Sequence, residues 1–264
     1  MSEVRSGAQS VERALAVLRT FETGPTELGV TEVAGQVGLS VSTTHRLVRA
    51  LCGAGLLRQD PRTERYQLGP ALVVLGRRAE EALGYARAQP VLEELAGTTG
   101  ESVNLGIRSG SEVLVVLDVA SDQPLRFRQA PGTRVPIHTS AMGKCLLAFT
   151  DDPAGAVAAL PRLDPVTERT ITSPDALVDE LERTRERGWA LNDEERNPGV
   201  RAVAAPVIGA EGRAIAAIAV QGPAIRLAKK LLPEMAEQLA SATERVAPLL
   251  TVPAGPTGTT GPTG

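Results

Sequence analysis

Apolar residues Val11, Ala14, Leu15, Leu18 and Phe21 recur at three- and four-residue spacing behind Ser10, which predicts a first helix capped by that serine. Gly24 and Pro25 break the pattern. Thr31 is placed to cap a second, short helix, "EVAGQV", that stops at Gly38. Ser40 can cap a third, running from about Val41 to Cys52 and ended by "GAG". Period-two runs then follow: "LLRQ" and "RYQL" predict two short strands, with "DPRTE" as the hairpin turn and Pro61 early in it. "PALVVLGRRAEEALGYARAQPVLEELAGTTG" returns to a helical period, with breaks expected near Gly76 and Pro90.

From Glu101 the texture changes to alternating and continuous apolar runs. "SVNLGIR", "EVLVVLDVA", "LRFRQA", "RAVAAPVI" and "AIAAIAVQG" predict strands, and helices are expected near 141–149, 154–159, 176–187 and 229–246. The hairpin-like spacings are too short for βαβ crossovers, so the expectation is an α+β domain with a largely antiparallel sheet. No repeat of 20–50 residues is present. The tail "GPTGTTGPTG" holds too few glycine triplets for a collagen helix and reads as a flexible segment outside the fold.

Composition adds two constraints. A chain of 264 residues, 42% hydrophobic and 22% charged, can bury two ordinary cores. No apolar run approaches the ~20 residues of a membrane span, and "MSEVRSGAQS" lacks a signal-peptide core, so a cytoplasmic protein with no membrane partner is expected. Cys52 and Cys145 read as reduced, buried thiols. His45 and His138 are too isolated to build a metal site, and neither a metal nor a cofactor is expected. The net charge of −3 conceals an asymmetry: residues 1–78 carry ten arginines and no lysine against seven acids, and the remainder is acidic. The N-terminal part is therefore suited to a polyanion.

Two short helices, the second opening on small polar residues, followed by a basic hairpin, make the layout of a winged helix-turn-helix. At 100° per residue, Thr44, Leu47, Val48 and Leu51 share the core face of the third helix, with Ser42, Arg46 and Arg49 opposite. Short hydroxyls at Ser42 and Thr43 let the backbone approach a major groove, and Arg46 can then reach guanine O6 and N7. His45 on the flank, and Arg62 and Arg65 on the hairpin beside Arg58, complete the DNA-facing set. The competing reading is a small-molecule sensor whose helix-turn-helix serves protein contact. Enzyme constellations are absent. "HTSAMGKC" lacks the first glycine and the hydroxyl of a phosphate loop, and "GIRSG" lacks the register and partners of a nucleophile elbow.

"SVERALAVLRTF", "GLSVSTTHRLVRAL", "RYQLGPALVVLG", "TGESVNLG", "HTSAMGKCLLAF", "GWALNDEERNPGVRAVAAPV" and "AAIAVQGP" resemble, in order, the signature blocks of the IclR family of bacterial transcriptional regulators, over about residues 9–248. The resemblance implies a winged helix-turn-helix over 8–70, a linker helix over 71–90, a GAF-like antiparallel-sheet effector domain over 91–250 and a tail over 251–264. It implies double-stranded operator DNA and a small-molecule effector as partners, and a homodimer or dimer of dimers, with repression as the family's commoner habit. Its effector pocket maps to Ala141, Met142 and Gly143 before and within the "GK" helix, and to Asp193 of the "DEE" block. Where members that bind small keto acids carry a cysteine and two serines, this chain has Ala202, Ala219 and Gln221. With hydrogen-bonding groups lost, glyoxylate is not the expected effector. A larger or less polar one is, with Gln221 offering an amide.

Overall fold

The computed structural model describes the backbone of residues 2–22 and 24–251, and the side chains from residue 8 onward within them. Beyond Thr251, the expected flexible tail lies outside the described residues. The chain divides into two compact units, residues 1–80 and 81–264. No helix among the described residues is long and apolar enough to cross a membrane.

In the first unit, α1 (Ser2–Arg19), α2 (Val30–Val37) and α3 (Val41–Gly53) precede a hairpin of β1 (Leu57–Gln59) and β2 (Tyr66–Leu68). Three helices of about this length cannot hold together without a shared core. That core is Val17, Phe21, Leu28, Val33, Val48, Leu51, Leu57 and Tyr66. α1 begins well before Ser10, so the serine is interior and not a cap. Its buried stripe is Ala14, Val17, Leu18 and Phe21, whereas Val11 and Leu15, expected inside, stand 60% and 49% exposed. α2 is capped by Gly29 in place of Thr31: the Glu32 carboxylate accepts from the Gly29 amide at 2.7 Å. Gly38, in the left-handed conformation with φ 66°, ends it as expected. Ser40 caps α3, its hydroxyl accepting from the Thr43 amide.

α4 (Ala71–Leu83) and α5 (Tyr85–Thr99) follow, and the break between them falls at Gly84, not at Gly76 or Pro90. Pro90 forfeits one helical hydrogen bond. Burial of Ala88, Val91, Leu92 and Leu95 along the same helix outweighs that loss.

The second unit is built on a six-stranded antiparallel sheet of β3 (Ser102–Ser109), β4 (Glu112–Val119), β5 (Arg134–Pro136), β6 (Ala190–Asp193), β7 (Val200–Ile208) and β8 (Ala214–Pro223). Its spatial order is β5-β4-β3-β8-β7-β6. Helices α6 (Ala141–Ala148), α7 (Pro153–Ala158) and α8 (Pro174–Arg187) come between β5 and β6, and α9 (Leu232–Val246) closes the unit. The expected strand at "LRFRQA" is absent: residues 125–130 run without ladder pairing, and β5 forms further on.

Strand alternation sorts two cores to the two faces of the sheet. Val203, Ala205, Val207, Ile218 and Val220 join α5 and α9. The intervening Ala202, Ala204, Ala217 and Ala219 join α6 and α8. Rows of alanine leave room for α6, all of whose residues are buried, to lie close against the sheet.

Candidate DNA interface and effector pocket

The sequence-predicted faces of α3 are reproduced. Thr44 and Val48 are fully buried, Leu51 is buried and Leu47 half-buried, while Ser42, His45, Arg46 and Arg49 are exposed. The Ser40 hydroxyl donates to Thr43 Oγ1 at 2.9 Å and sits 3.1 Å from Ser42 Oγ, so the cap orients both of the small hydroxyls at the helix start. Arg46 and Arg49 form no hydrogen bond or ion pair among the described residues, leaving both guanidinium groups for an external partner. Arg62 is also exposed. Its backbone amide and that of Thr63 donate to Asp60 Oδ1 at 2.7 and 3.1 Å, which holds the hairpin turn and keeps the Asp60 carboxyl below its ordinary range.

Arg65, expected at DNA, has partners within its own unit. Its Nη2 lies 2.6 Å from Glu32 Oε2 and also donates to the Glu27 carbonyl, so its charge braces the hairpin against the start of α2. Thr44 lies on the core face as expected, and its buried hydroxyl has no hydrogen-bond partner among the described residues. An unpaired buried hydroxyl is a liability of about 1–3 kcal/mol. Thr44→Val, equal in shape and β-branching, is expected to raise stability by about 1 kcal/mol in urea unfolding and to leave the exposed face unchanged.

In the second unit, Ala141, Met142, Ala202, Ala219 and Gln221 line one small cavity of about 20 Å³, together with Ser140 at the start of α6. The register explains the grouping: Asn192, Ala202 and Gln221 are paired across β6, β7 and β8 and so share a face. Asn192, missed in the sequence, therefore lines the cavity, and Asp193 turns away. Asp193 Oδ1 lies 2.5 Å from Arg201 Nη2, and Oδ2 lies 3.0 Å from Lys229 Nζ. Burial alone would raise its carboxyl, but the hydrogen bonds and charges of Arg201 and Lys229 overcome that and hold it below its ordinary range. Asp193 is thus a structural ion-pair centre. Gly143 does not line the cavity either. It is the point where α6 crosses closest to the turn before it, as a Cβ there would lie 1.9 Å from the Ile137 carbonyl oxygen.

Nearby polar groups are largely spent on each other. Asn192 Nδ2 donates to the Thr139 carbonyl at 2.6 Å, and its Oδ1 accepts from the Glu195 amide. Gln221 Nε2 donates to Asn104 Oδ1, so the amide expected to meet an effector is already engaged. Asn104 Nδ2 in turn reaches the Gln129 carbonyl at 3.1 Å, tying the unpaired segment 125–130 to the sheet. Residues Phe127, Gln129 and Arg196 also line the cavity, and nothing in their sequence context marks them. Behind α6, Lys144 Nζ lies 2.7 Å from Glu195 Oε1 and donates to the Leu191 carbonyl. Cys145 is buried, its thiol donating to the Ala204 carbonyl, and burial pushes it up to about 12, out of reach of nucleophilic use.

Comparison with known proteins decides what this pairing of units is. Residues 10–61 match the IclR helix-turn-helix domain, and residues 85–247 match the C-terminal domain of the bacterial transcriptional regulator IclR. The chain belongs to the IclR family. This IclR-family regulator is 35% identical to the HTH-type transcriptional regulator BhcR of Paracoccus denitrificans, over 91% of this chain and 87% of that protein. It is 30% identical to the HTH-type transcriptional repressor AllR of Salmonella typhi, over 84% and 83%. The crystal structure of an IclR transcriptional regulator from Alicyclobacillus acidocaldarius superposes with a TM-score of 0.82 at 26% identity, covering 91% of this chain and 98% of that one. The IclR-family assignment makes the protein a DNA-binding transcriptional regulator with an effector-binding C-terminal domain. These relatives are regulators and not enzymes.

Proposed function

We propose that this regulator is a cytoplasmic, homodimeric repressor whose hold on a near-palindromic operator is changed by a metabolite bound in the C-terminal domain. The observation that carries the DNA reading is the exposed face of α3, where Arg46 and Arg49 have no hydrogen-bond or ion-pair partner among the described residues while the opposite face packs on the core. Arg46 reads a guanine edge in the major groove. Ser42, Thr43 and His45 set the approach of the helix, and Arg49 and Arg62 meet phosphates. Arg65 keeps the hairpin in place and does not touch DNA. Dimerisation is supported by apolar side chains left outside in the first unit: Val11 and Leu15 on α1, and Val73, Val74 and Leu75 on α4, are all about half exposed or more. A two-fold dimer places two α3 helices in successive major grooves, with half-sites ~34 Å apart. Repression is supported by the relative whose name states it.

For the metabolite to act, it must bind two states of the dimer with different affinity, and the state it favours must hold the two α3 helices at a spacing that no longer fits the half-sites. A mobility-shift titration on the promoter beside the gene tests the assignment. Arg46→Ala is expected to weaken specific binding by ~1–3 kcal/mol per half-site and to relax preference at one base pair. Unchanged operator affinity in that variant would overturn the DNA reading and favour a helix-turn-helix that contacts protein.

A further inference from the structure

The turn between β5 and α6 borders two cavities. Val135 and Ser140 line the small one beneath α6, whereas Pro136, Ile137 and His138, between them in the chain, line a second of about 220 Å³. One side of this second cavity is the end of the sheet, where Glu112 is paired with Pro136 and the Ile137 amide donates to the Ser111 carbonyl at 3.0 Å. The other side is the connection from α7 to α8, which contributes Leu160, Pro161, Leu163 and Val166. Among the described residues, none lines both cavities.

The charges around the second cavity are matched in pairs: Glu112 lies 3.6 Å from Arg134, and Arg162 lies 3.4 Å from Asp164. His138 stands out from this balance. It is 7% exposed, and its Nε2 lies 3.1 Å from the Asp164 carbonyl oxygen. A carbonyl can only accept, so Nε2 carries the hydrogen and Nδ1 of the neutral ring is an acceptor. Nδ1 has no hydrogen-bond partner among the described residues, and the ring that carries it is part of the cavity wall. Buried polar atoms are as a rule hydrogen-bonded. An acceptor kept open on a ring more than nine-tenths buried is completed by a donor from outside the chain.

We propose that this cavity is a second ligand site, for a neutral single-ring phenol whose hydroxyl donates to His138 Nδ1 while its ring packs on Ile137, Leu163 and Val166. Volume sets the size: a cavity of about 150 Å³ takes a benzene ring, so about 220 Å³ holds one ring with its hydroxyl and a small substituent. Charge sets the class. With Glu112 and Asp164 each beside an arginine, the wall offers neither a spare cation for a carboxylate nor a spare anion for an amine. A phenol suits the site better than an aliphatic alcohol, because a flat ring fills the space with fewer rotors to immobilise. The site goes beyond the metabolite reading of the cavity beneath α6 and does not depend on it.

The test uses the full-length protein at pH 8 and three probes of similar size, 4-fluorophenol, 4-fluorotoluene and 4-fluorobenzoate, read by fluorine NMR and calorimetry. 4-Fluorophenol is expected to bind saturably, roughly tenfold or more tightly than the other two. Val166→Trp, at a position 50% exposed, fills the cavity and should weaken the phenol by roughly tenfold or more. His138→Gln keeps an N–H for the Asp164 carbonyl and should erase the preference for phenol over toluene. Gln129→Leu, in the cavity beneath α6, should leave phenol affinity unchanged. The proposal is overturned if 4-fluorophenol does not saturate, if either companion matches it, or if folded Val166→Trp binds it as the parent does. Loss of binding in Gln129→Leu would place the phenol beneath α6 and would overturn it too. Should His138→Gln fail to fold, Val166→Trp and the phenol-to-toluene ratio of the parent still decide. Operator DNA plays no part in these readouts, so failure here leaves metabolite control standing.

Discussion

Lys144→Met is expected to destabilise the effector unit by about 3–5 kcal/mol at pH 8, because it strands Glu195 in the interior without its only ion-pair partner among the described residues. Lys144 is 1% exposed and Glu195 buried beside it, so neither can turn to solvent. Burial already pushes the Glu195 carboxyl up, with the charge and hydrogen bond of Lys144 opposing it. Without Lys144 it rises further. A carboxyl raised in the folded state binds its proton more tightly there than in the unfolded chain, whose value is near 4.5. The variant is then most stable below that value and loses stability as pH climbs from there to the raised folded value. The gap between parent and variant should therefore be wide at pH 8 and narrow towards pH 5. Trp189, the chain's single tryptophan, lies in this unit and reports the transition in urea by fluorescence. Adding Glu195→Leu to Lys144→Met should recover most of the loss, since removing both charges removes the desolvation cost as well. Equal stability of parent and Lys144→Met at pH 8 would show that the pair does not hold α6 to β6.

Gly143→Ala is the second large effect, and helix propensity gives it the opposite sign. Alanine in a helix interior is favoured over glycine by roughly 0.5–1 kcal/mol. At Gly143, however, a Cβ would lie 1.9 Å from the Ile137 carbonyl, a backbone atom that cannot rotate away. α6 is buried on every side, so it cannot slide out either. The expected result is a loss of about 3 kcal/mol, the upper end of overpacking costs. The cavity should change shape with it, because Ala141 and Met142 line it and move with the helix. Gly97→Ala is the matched control. That glycine lies in α5, exposed, with nothing within 4 Å of a Cβ, and the change should stabilise by a few tenths to 1 kcal/mol. If both substitutions stabilise, the close crossing of α6 and the turn before it is wrong.

The exposed face of α3 was legible because one signal decides it: on an amphipathic helix of 13 residues, burial of Thr44, Val48 and Leu51 forces Arg46 and Arg49 outward. The antiparallel sheet was legible from its long strands for the same reason, as β7 and β8 run for 9 and 10 residues. The pocket was only half legible. Ala202, Ala219 and Gln221 sit on those long strands, but Asn192 and Asp193 sit on a strand of 4 residues, too short for alternation to show which one faces inward. Pairing Asn192 with Ala202 is what settles it, and pairing is a property of the folded sheet. Residues 125–130 mimic a strand by alternation, yet they are held by the side chains of Asn104 and Arg226, through bonds that leave no period in the sequence. The ion pairs of Arg65 were not legible at all: only the fold brings Glu27 and Glu32 beside it.

The alanines that seat α6 on the sheet are also part of the pocket wall, since Ala202 and Ala219 belong to both. Enlarging either side chain to reshape the cavity would unseat the helix in the same step. Arg196 and Gln129 are not under that constraint, being on connecting segments outside both cores. The cavity can therefore change its lining through connecting segments while the strands that seat α6 stay fixed.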